Sequence, residues 1–529
     1  MHIILICEAG CGQPLFWLGY IMKRLFLALL LISFGTTLQA QNKVYRELQR
    51  IAREDNRTMQ HLDILCNRIG GRVTGSDALQ NAEEWAAKCF EEWGLEVSLE
   101  KVGDMSVGFN RGGWWGRMYG EQSMTLHFAT PSYTSGTKGP ERGHVVIEPR
   151  TQADFDRMKS QMRGAWVLVE GKSRGWALRH NAETEKMRDS IIKSNAEIAA
   201  YNRTVARDRS KQKPIDTTTP ALFYNEMIEA GVLGFIQAAP VPITALYDAD
   251  VVKGGVTFDS LPTTPDIKLD EHQYELIYEM VKERRHVELE FDIRNHFQMG
   301  PVPYHNVVAR IEGSKYPDEY VIVGAHLDSY DVASGGVDCG SGVSVVMEVA
   351  RMLTSAKAKP ERSILFILFA AEEFGLVGSQ AWVKQHSDLL PKISNVFNRD
   401  GGPMPYTSFA APASLVKEYE EAAKWIREIY PDYPLTISEL KLRKVPTRVG
   451  GNDETSFDVK GVPTLQMGEW EDVKGHNFSY YEIWHTERDT YQKSIAEYQQ
   501  QAAAAWAIWV LHTANLPSLL PRNEVYSAE

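Results

Sequence analysis

Six residues in the second half of the chain have the types and placement for metal chemistry: His326, Asp338, the adjacent Glu372 and Glu373, Asp400 and His485. Imidazole and carboxylate are ligands for divalent metals, and two imidazoles with three or four carboxylates suit a pair of such ions. Most of these residues directly follow apolar runs. A parallel α/β sheet gathers residues from the carboxyl ends of its strands into one crevice, so ligands far apart in sequence can meet there. The chemistry implied is hydrolysis.

Read singly, each residue also has a plain explanation. In extended chain Asp328 points to the same side as His326, so its carboxylate is expected to accept the proton of one ring nitrogen while the other nitrogen binds metal. Asp338 lies in Gly335-Gly336-Val337-Asp338-Cys339-Gly340-Ser341-Gly342, a glycine-rich turn ahead of a helix, where an aspartate alone reads as a helix cap. Glu372 and Glu373 follow a buried strand, and two adjacent carboxylates there are costly unless something positive compensates them. Metal supplies that charge, with one glutamate as ligand and its neighbour as general base. Asp400 alone is a turn residue, and His485, in Trp484-His485-Thr486-Glu487-Arg488-Asp489-Thr490, supplies the second imidazole.

The positioning elements are legible as α/β alternation from Asn306 onward. A continuous apolar run from Tyr320 to Ala325 predicts a strand buried on both faces, followed by a helix from Ser341 to about Ala356. A second strand runs from Ser363 to Phe369, a third ends at Asp400, and a fourth is expected from Val462 to Met467. This predicts a mostly parallel sheet with helices on both faces. Upstream, Val44 to about Gly94 is helical in pattern and Leu95 to Val102 alternates as a strand. Residues 131–295 break into short strands, which predicts a separate β-rich domain. Within it, 173–213 is a charged helical excursion, read as a solvated surface element rather than a lid or dimer contact. Trp114-Trp115 fits either a pocket lining or a packed strand edge.

A chain of 529 residues, 43% hydrophobic and 24% charged, is globular and too long for one core. Its formal net charge of −12 excludes nucleic acid and an anionic membrane surface as main partners. Met22-Lys23-Arg24 and the apolar run from Leu25 to Ile32, with cleavage after Ala40, form an export signal, so the protein is expected to be secreted or periplasmic. Residues 1–21 then precede the true start at Met22. The apolar run is too short to span a bilayer. With Cys7 and Cys11 removed, Cys66, Cys89 and Cys339 make no disulfide framework, and Cys66 and Cys89 are read as buried free thiols.

Taken in order, H-x-D at His326, G-x-D-x-G-S-G around Asp338, the Glu372-Glu373 pair, Asp400 and H-T-x-x-D-T from His485 resemble the M28 family of dinuclear zinc peptidases. Gly450-Gly451-Asn452-Asp453 and Gly461-Val462-Pro463 resemble that family's segment before its last ligand. The whole mature chain is similar to the family's plasma glutamate carboxypeptidase branch, which carries an inserted protease-associated domain. The resemblance implies a zinc exopeptidase domain at 41–130 and 296–515, the insert at 131–295 and a tail at 516–529. It further implies two Zn2+ per chain, with His326 and Asp400 on one, Glu373 and His485 on the other, and Asp338 bridging. Glu372 is then the general base, Asp328 and Asp489 support the ligands from behind, and a cis peptide is expected at Asp338-Cys339.

Two departures stand out. Cys339 occupies a position where Asp or Asn is usual, and Trp484 stands where some relatives place a tyrosine that polarises the scissile carbonyl, leaving Tyr480 and Tyr481 as replacements. The implied function is hydrolysis of dipeptides or short peptides at a free terminus. Its alternatives are an aminopeptidase acting on longer peptides, a non-catalytic receptor-like homologue, and a glutaminyl-cyclase-type acyltransferase with a single zinc. Arg443 and Arg448 are candidates for a substrate carboxylate, with surface arginines as the plain reading. A homodimer is left open.

Overall fold

The computed structural model describes residues 42–178, 182–469 and 471–527. The segment 22–40, expected to be an export signal, and Cys7 and Cys11 lie outside them. Among the described residues no helix is long and apolar enough to cross a membrane.

The sheet that carries the site has five strands in the order Glu96–Asn110, His296–Ile311, Arg362–Phe369, Tyr316–His326, Ile393–Asn398. The last three are mutually parallel and the first two add antiparallel. Alternation along the Tyr316–His326 strand explains its unbroken apolar run. Val321, Val323 and Ala325 pack with the helices Asp77–Glu92, Gly340–Ser355 and Ala496–Ala514, while Tyr320 and Ile322 pack with Trp382, Val383 and Phe457 on the other face. Helices therefore cover both faces, as expected, and the parallel part of the sheet lies under the six candidate residues.

The expected fourth strand does not join this sheet. Only Met467–Gly468 is a strand, and it pairs with Ser408–Ala411 in a separate three-stranded sheet. Residues 462–465 run along the edge strand, joined by Val396 N–H to Pro463 O at 2.9 Å and by Asn395, whose side chain bonds both backbone groups of Leu465. Pro463 has no N–H to continue a ladder, so the contact stays isolated.

A second, eight-stranded sheet forms an additional domain with its own core around Trp166, Ile277, Leu289 and Phe291. Its strands begin at Trp114–Gly120, ahead of the expected boundary at 131. Trp114 is thus a packed strand residue whose indole N–H donates to Phe128 O at 3.0 Å. The charged excursion contains the helix Ala182–Thr204, which is mostly exposed along its described part but anchored by buried Ile191 and Asn195. Cys66 and Cys89 are both free, Cys66 buried and Cys89 half-buried.

Candidate active site

His326 is the last residue of its strand, Asp338 lies two residues before the helix Gly340–Ser355, and Glu372 and Glu373 follow the strand Arg362–Phe369. Asp400 follows Ile393–Asn398, and His485 comes just after the short helix Tyr480–Ile483. The fold brings all six together. Asp338 lies between the histidines, with Oδ1 3.1 Å from His326 Nε2 and Oδ2 3.4 Å from His485 Nε2. Asp400 Oδ1 is 3.4 Å from His326 Nε2, and Glu373 Oε2 is 3.3 Å from His485 Nε2. The result is two adjoining groups of one histidine and one carboxylate each, with Asp338 shared.

The supporting contacts differ from the expectation at Asp328. His326 Nδ1 faces the Asp328 backbone carbonyl at 3.0 Å, and the Asp328 carboxylate is 3.7 Å away. That carboxylate accepts instead from the backbone N–H of Glu372 at 3.1 Å and of Glu373 at 3.3 Å, and from the Thr74 hydroxyl at 3.2 Å. Asp328 therefore fixes the turn that presents the glutamates. Asp489 does the same for Asp338, accepting from the backbone N–H of Val337 at 2.6 Å and of Asp338 at 3.2 Å. The turn before Asp338 packs tightly on the loop after His485, since a Cβ at Gly336 would lie 2.3 Å from the Thr490 carbonyl. The Asp338-Cys339 peptide is cis.

Cys339, His326 and Asp400 also lie close enough to form a ligand group. The Cys339 thiol is an unsuitable member: it donates to Arg399 O at 3.0 Å, and burial pushes its pKa up to about 12. Metal binding needs the thiolate. Asp338 and Asp400 are the better donors beside His326.

Burial and crowding of the acids account for the electrostatics. Burial pushes the Glu372 carboxyl up to about 11, with Asp400, Glu373 and Asp453 adding to the shift and His326 opposing it. Glu373 is raised by burial and by Asp338, and Asp453 is pushed up to about 8, chiefly by burial. Glu373 Oε1 is buried without a hydrogen-bond partner. An acid cluster short of positive charge, containing an orphaned carboxylate oxygen, suits divalent cations at these two positions.

The site opens into a cavity of about 650 Å3. Sequence reasoning missed one of its walls: the buried Tyr330 ring meets the His485 imidazole edge-on, 4.5 Å between centroids. Its only sequence signal is a position four residues after His326. Tyr480 lines the cavity, whereas Tyr481 is 89% exposed and does not. The Trp484 ring lies against His485 at a tilt, 4.1 Å between centroids. Arg443 is committed elsewhere, pairing with Asp458 and donating to the Thr464 hydroxyl, while Arg448 is exposed. Among the described residues no lysine or arginine lines the cavity.

Residues 306–510 match the sequence profile of Peptidase family M28, a span that begins before the His326 strand and ends beyond His485. The chain carries an M28 peptidase domain. Outside that domain the similarity continues. Carboxypeptidase Q from Mus musculus is 24% identical over 488 residues, covering 88% of each chain, and the Bos taurus protein of the same name is 29% identical over 88% of this chain and 87% of its own. Among solved structures, a Peptidase M28 precursor from Shewanella amazonensis aligns with a TM-score of 0.55 at 20% identity, covering 90% of this chain and 98% of that one. The M28 domain thus contains all six clustered residues, and the α/β fold with its extra sheet domain agrees with that neighbour.

Proposed function

We propose that the chain is a zinc-dependent exopeptidase that holds two zinc ions and hydrolyses dipeptides or short peptides at a free terminus. The observation that carries the reading is Asp338, which turns one carboxylate oxygen toward each histidine. In this reading His326 and Asp400 would hold one ion, Glu373 and His485 the other, and Asp338, which faces both histidines, would serve both. Zinc in such a pair lowers the pKa of a coordinated water and polarises the carbonyl under attack.

The chain's own groups supply the proton transfers. Glu372 lines the cavity; once cations compensated its burial it would be ionised and could take a proton from the attacking water and return it to the leaving amide nitrogen. The Tyr480 phenol, its pKa raised by burial and by Asp338 and Asp400, keeps its proton and can donate to the oxyanion. Tyr330 and Trp484 line the cavity beside His485. A lining rich in acids and aromatics, with no lysine or arginine among the described residues, favours substrates that present a free amine beside the scissile bond. Dipeptides meet that requirement. The division into a peptidase domain and an insert is part of the same reading, with the insert widened to start near Trp114, as is export through the segment from Met22 to Ala40.

The test is Glu372→Gln, assayed on a panel of dipeptides with free, N-acetylated and C-amidated ends. Loss of about 10^2- to 10^4-fold in kcat with zinc content retained is the expected result. Full activity on every cleaved peptide would remove Glu372 from the mechanism, and cleavage of N-acetylated substrates as fast as free ones would remove the amine requirement.

A further inference from the structure

The loop that carries His485 is pinned from two sides. On its C-terminal side Asp489 ties it to Val337 and Asp338 within the peptidase domain. On the other side the second sheet domain grips it. Thr244 and Thr486 form an antiparallel bridge, Glu487 N–H donates to Ile243 O at 3.0 Å, and Ile243 N–H returns a bond to Glu487 Oε1 at 3.2 Å. The other carboxylate oxygen, Oε2, lies 2.7 Å from His127 Nε2, and His127 Nδ1 is 3.1 Å from Asp270. Both ring nitrogens of His127 face carboxylates, an arrangement that a doubly protonated imidazolium satisfies. The loop needs such restraint because His485 adopts a φ of +58°, a left-handed conformation rarely held by a residue other than glycine.

Apolar contacts reinforce the grip. Ile243, Ala245 and Leu246 of the second domain pack with Tyr330 and Val332, and Tyr247 stacks on Tyr330 and meets the ring of Phe374, the residue following the glutamate pair, at a tilt. Tyr330 in turn meets His485.

Resting on the two-zinc reading above, we propose that Glu487 is a positioning residue for His485, and that the second sheet domain, acting through it, completes one of the two zinc positions while leaving the other to the peptidase domain alone. Glu487 is not among the residues that line the cavity; it sets the angle of the loop from which the imidazole projects. Side chains that orient a metal ligand typically change affinity by about 10- to 100-fold when removed.

The experiment is a calorimetric titration of the metal-free full-length chain with zinc, comparing the native protein with Glu487→Ala, Glu487→Gln and His127→Gln. The native protein takes up two ions in two resolvable steps. In Glu487→Ala one step weakens by about 10- to 100-fold and the other is unchanged. Glu487→Gln, which keeps an acceptor for Ile243 N–H but loses the charge facing His127, falls between Ala and native, and His127→Gln shifts the same step without altering the peptidase domain. Unchanged binding at both steps in Glu487→Ala overturns the proposal, and so does equal weakening of both, which marks general loosening. A native protein that binds one zinc or none overturns the two-zinc reading itself and this proposal with it.

Discussion

The two halves of the site are built by different means. His326 ends a strand that is hydrogen-bonded on both sides within a sheet, its side chain is fully buried, and its neighbours Ala325 and Leu327 are core residues. His485 sits in a loop with a left-handed backbone, its side chain is 21% exposed, and its orientation is held by contacts from another domain. A ligand at a strand end inherits the rigidity of the sheet; one on a loop must be braced from outside. The first half should therefore tolerate damage to the second domain, and the second half should not.

The largest expected effect sharpens that contrast. His326→Ala removes a ligand from the rigid half and is expected to lower kcat/KM by more than about 100-fold, beyond the range for a supporting residue. Steady-state assay at saturating zinc checks it, and recovery of activity by added zinc would contradict it. Next is Asp489→Asn, which withdraws a carboxylate from the backbone N–H groups of Val337 and Asp338 and pulls on both halves at once. Zinc affinity is expected to fall by about 10- to 100-fold, measured by competition with a chelating dye.

Arg111→Met tests the brace from the other side. Arg111 makes a buried ion pair with Asp331 at 2.7 Å, and Ser132 donates to the same carboxylate oxygen at 2.6 Å. Leaving Asp331 without its counterion is expected to cost about 3–5 kcal/mol. Thermal unfolding followed with and without zinc would show it, with the second sheet domain loosening first and His326 chemistry least affected. An unchanged melting curve would mean that the brace does not rest on this pair.

The smallest effect lies on the sheet-built half. Burial lowers the His512 pKa to about 4, on the helix Ala496–Ala514. Because the folded state resists protonation there, its contribution to stability is complete above the ordinary value near 6.5 and declines as pH falls from 6.5 toward 4. His512→Phe should flatten the melting temperature over that window, and an identical pH profile in the variant would reject the assignment.

Much of the sheet-built half could be read from sequence, because burial on both faces leaves an unbroken apolar run and the fold places chemistry at the end of such runs. The His326 and Glu372-Glu373 strands show this directly. The Val462–Met467 run looked the same, but Pro463 breaks the ladder, so apolar content alone could not distinguish it. The direction of the Asp328 carboxylate depends on the Glu372-Glu373 turn, a partner 44 residues away, and no local spacing encodes it. Tyr330 and the clamp on Glu487 arise where two domains meet, which no single segment records. The start of the second sheet at Trp114 was missed for a similar reason: its pairing partner is Val287–Ile293, far along the chain.

Zinc stoichiometry in the purified, dialysed full-length protein tests the central claim most directly. Elemental analysis is expected to give two zinc ions per native chain and about one in His485→Ala, in which the His326 half stays intact. A native chain that holds a single zinc, or a His485→Ala chain that still holds two, would contradict the account of a site divided between a sheet-built half and a braced one.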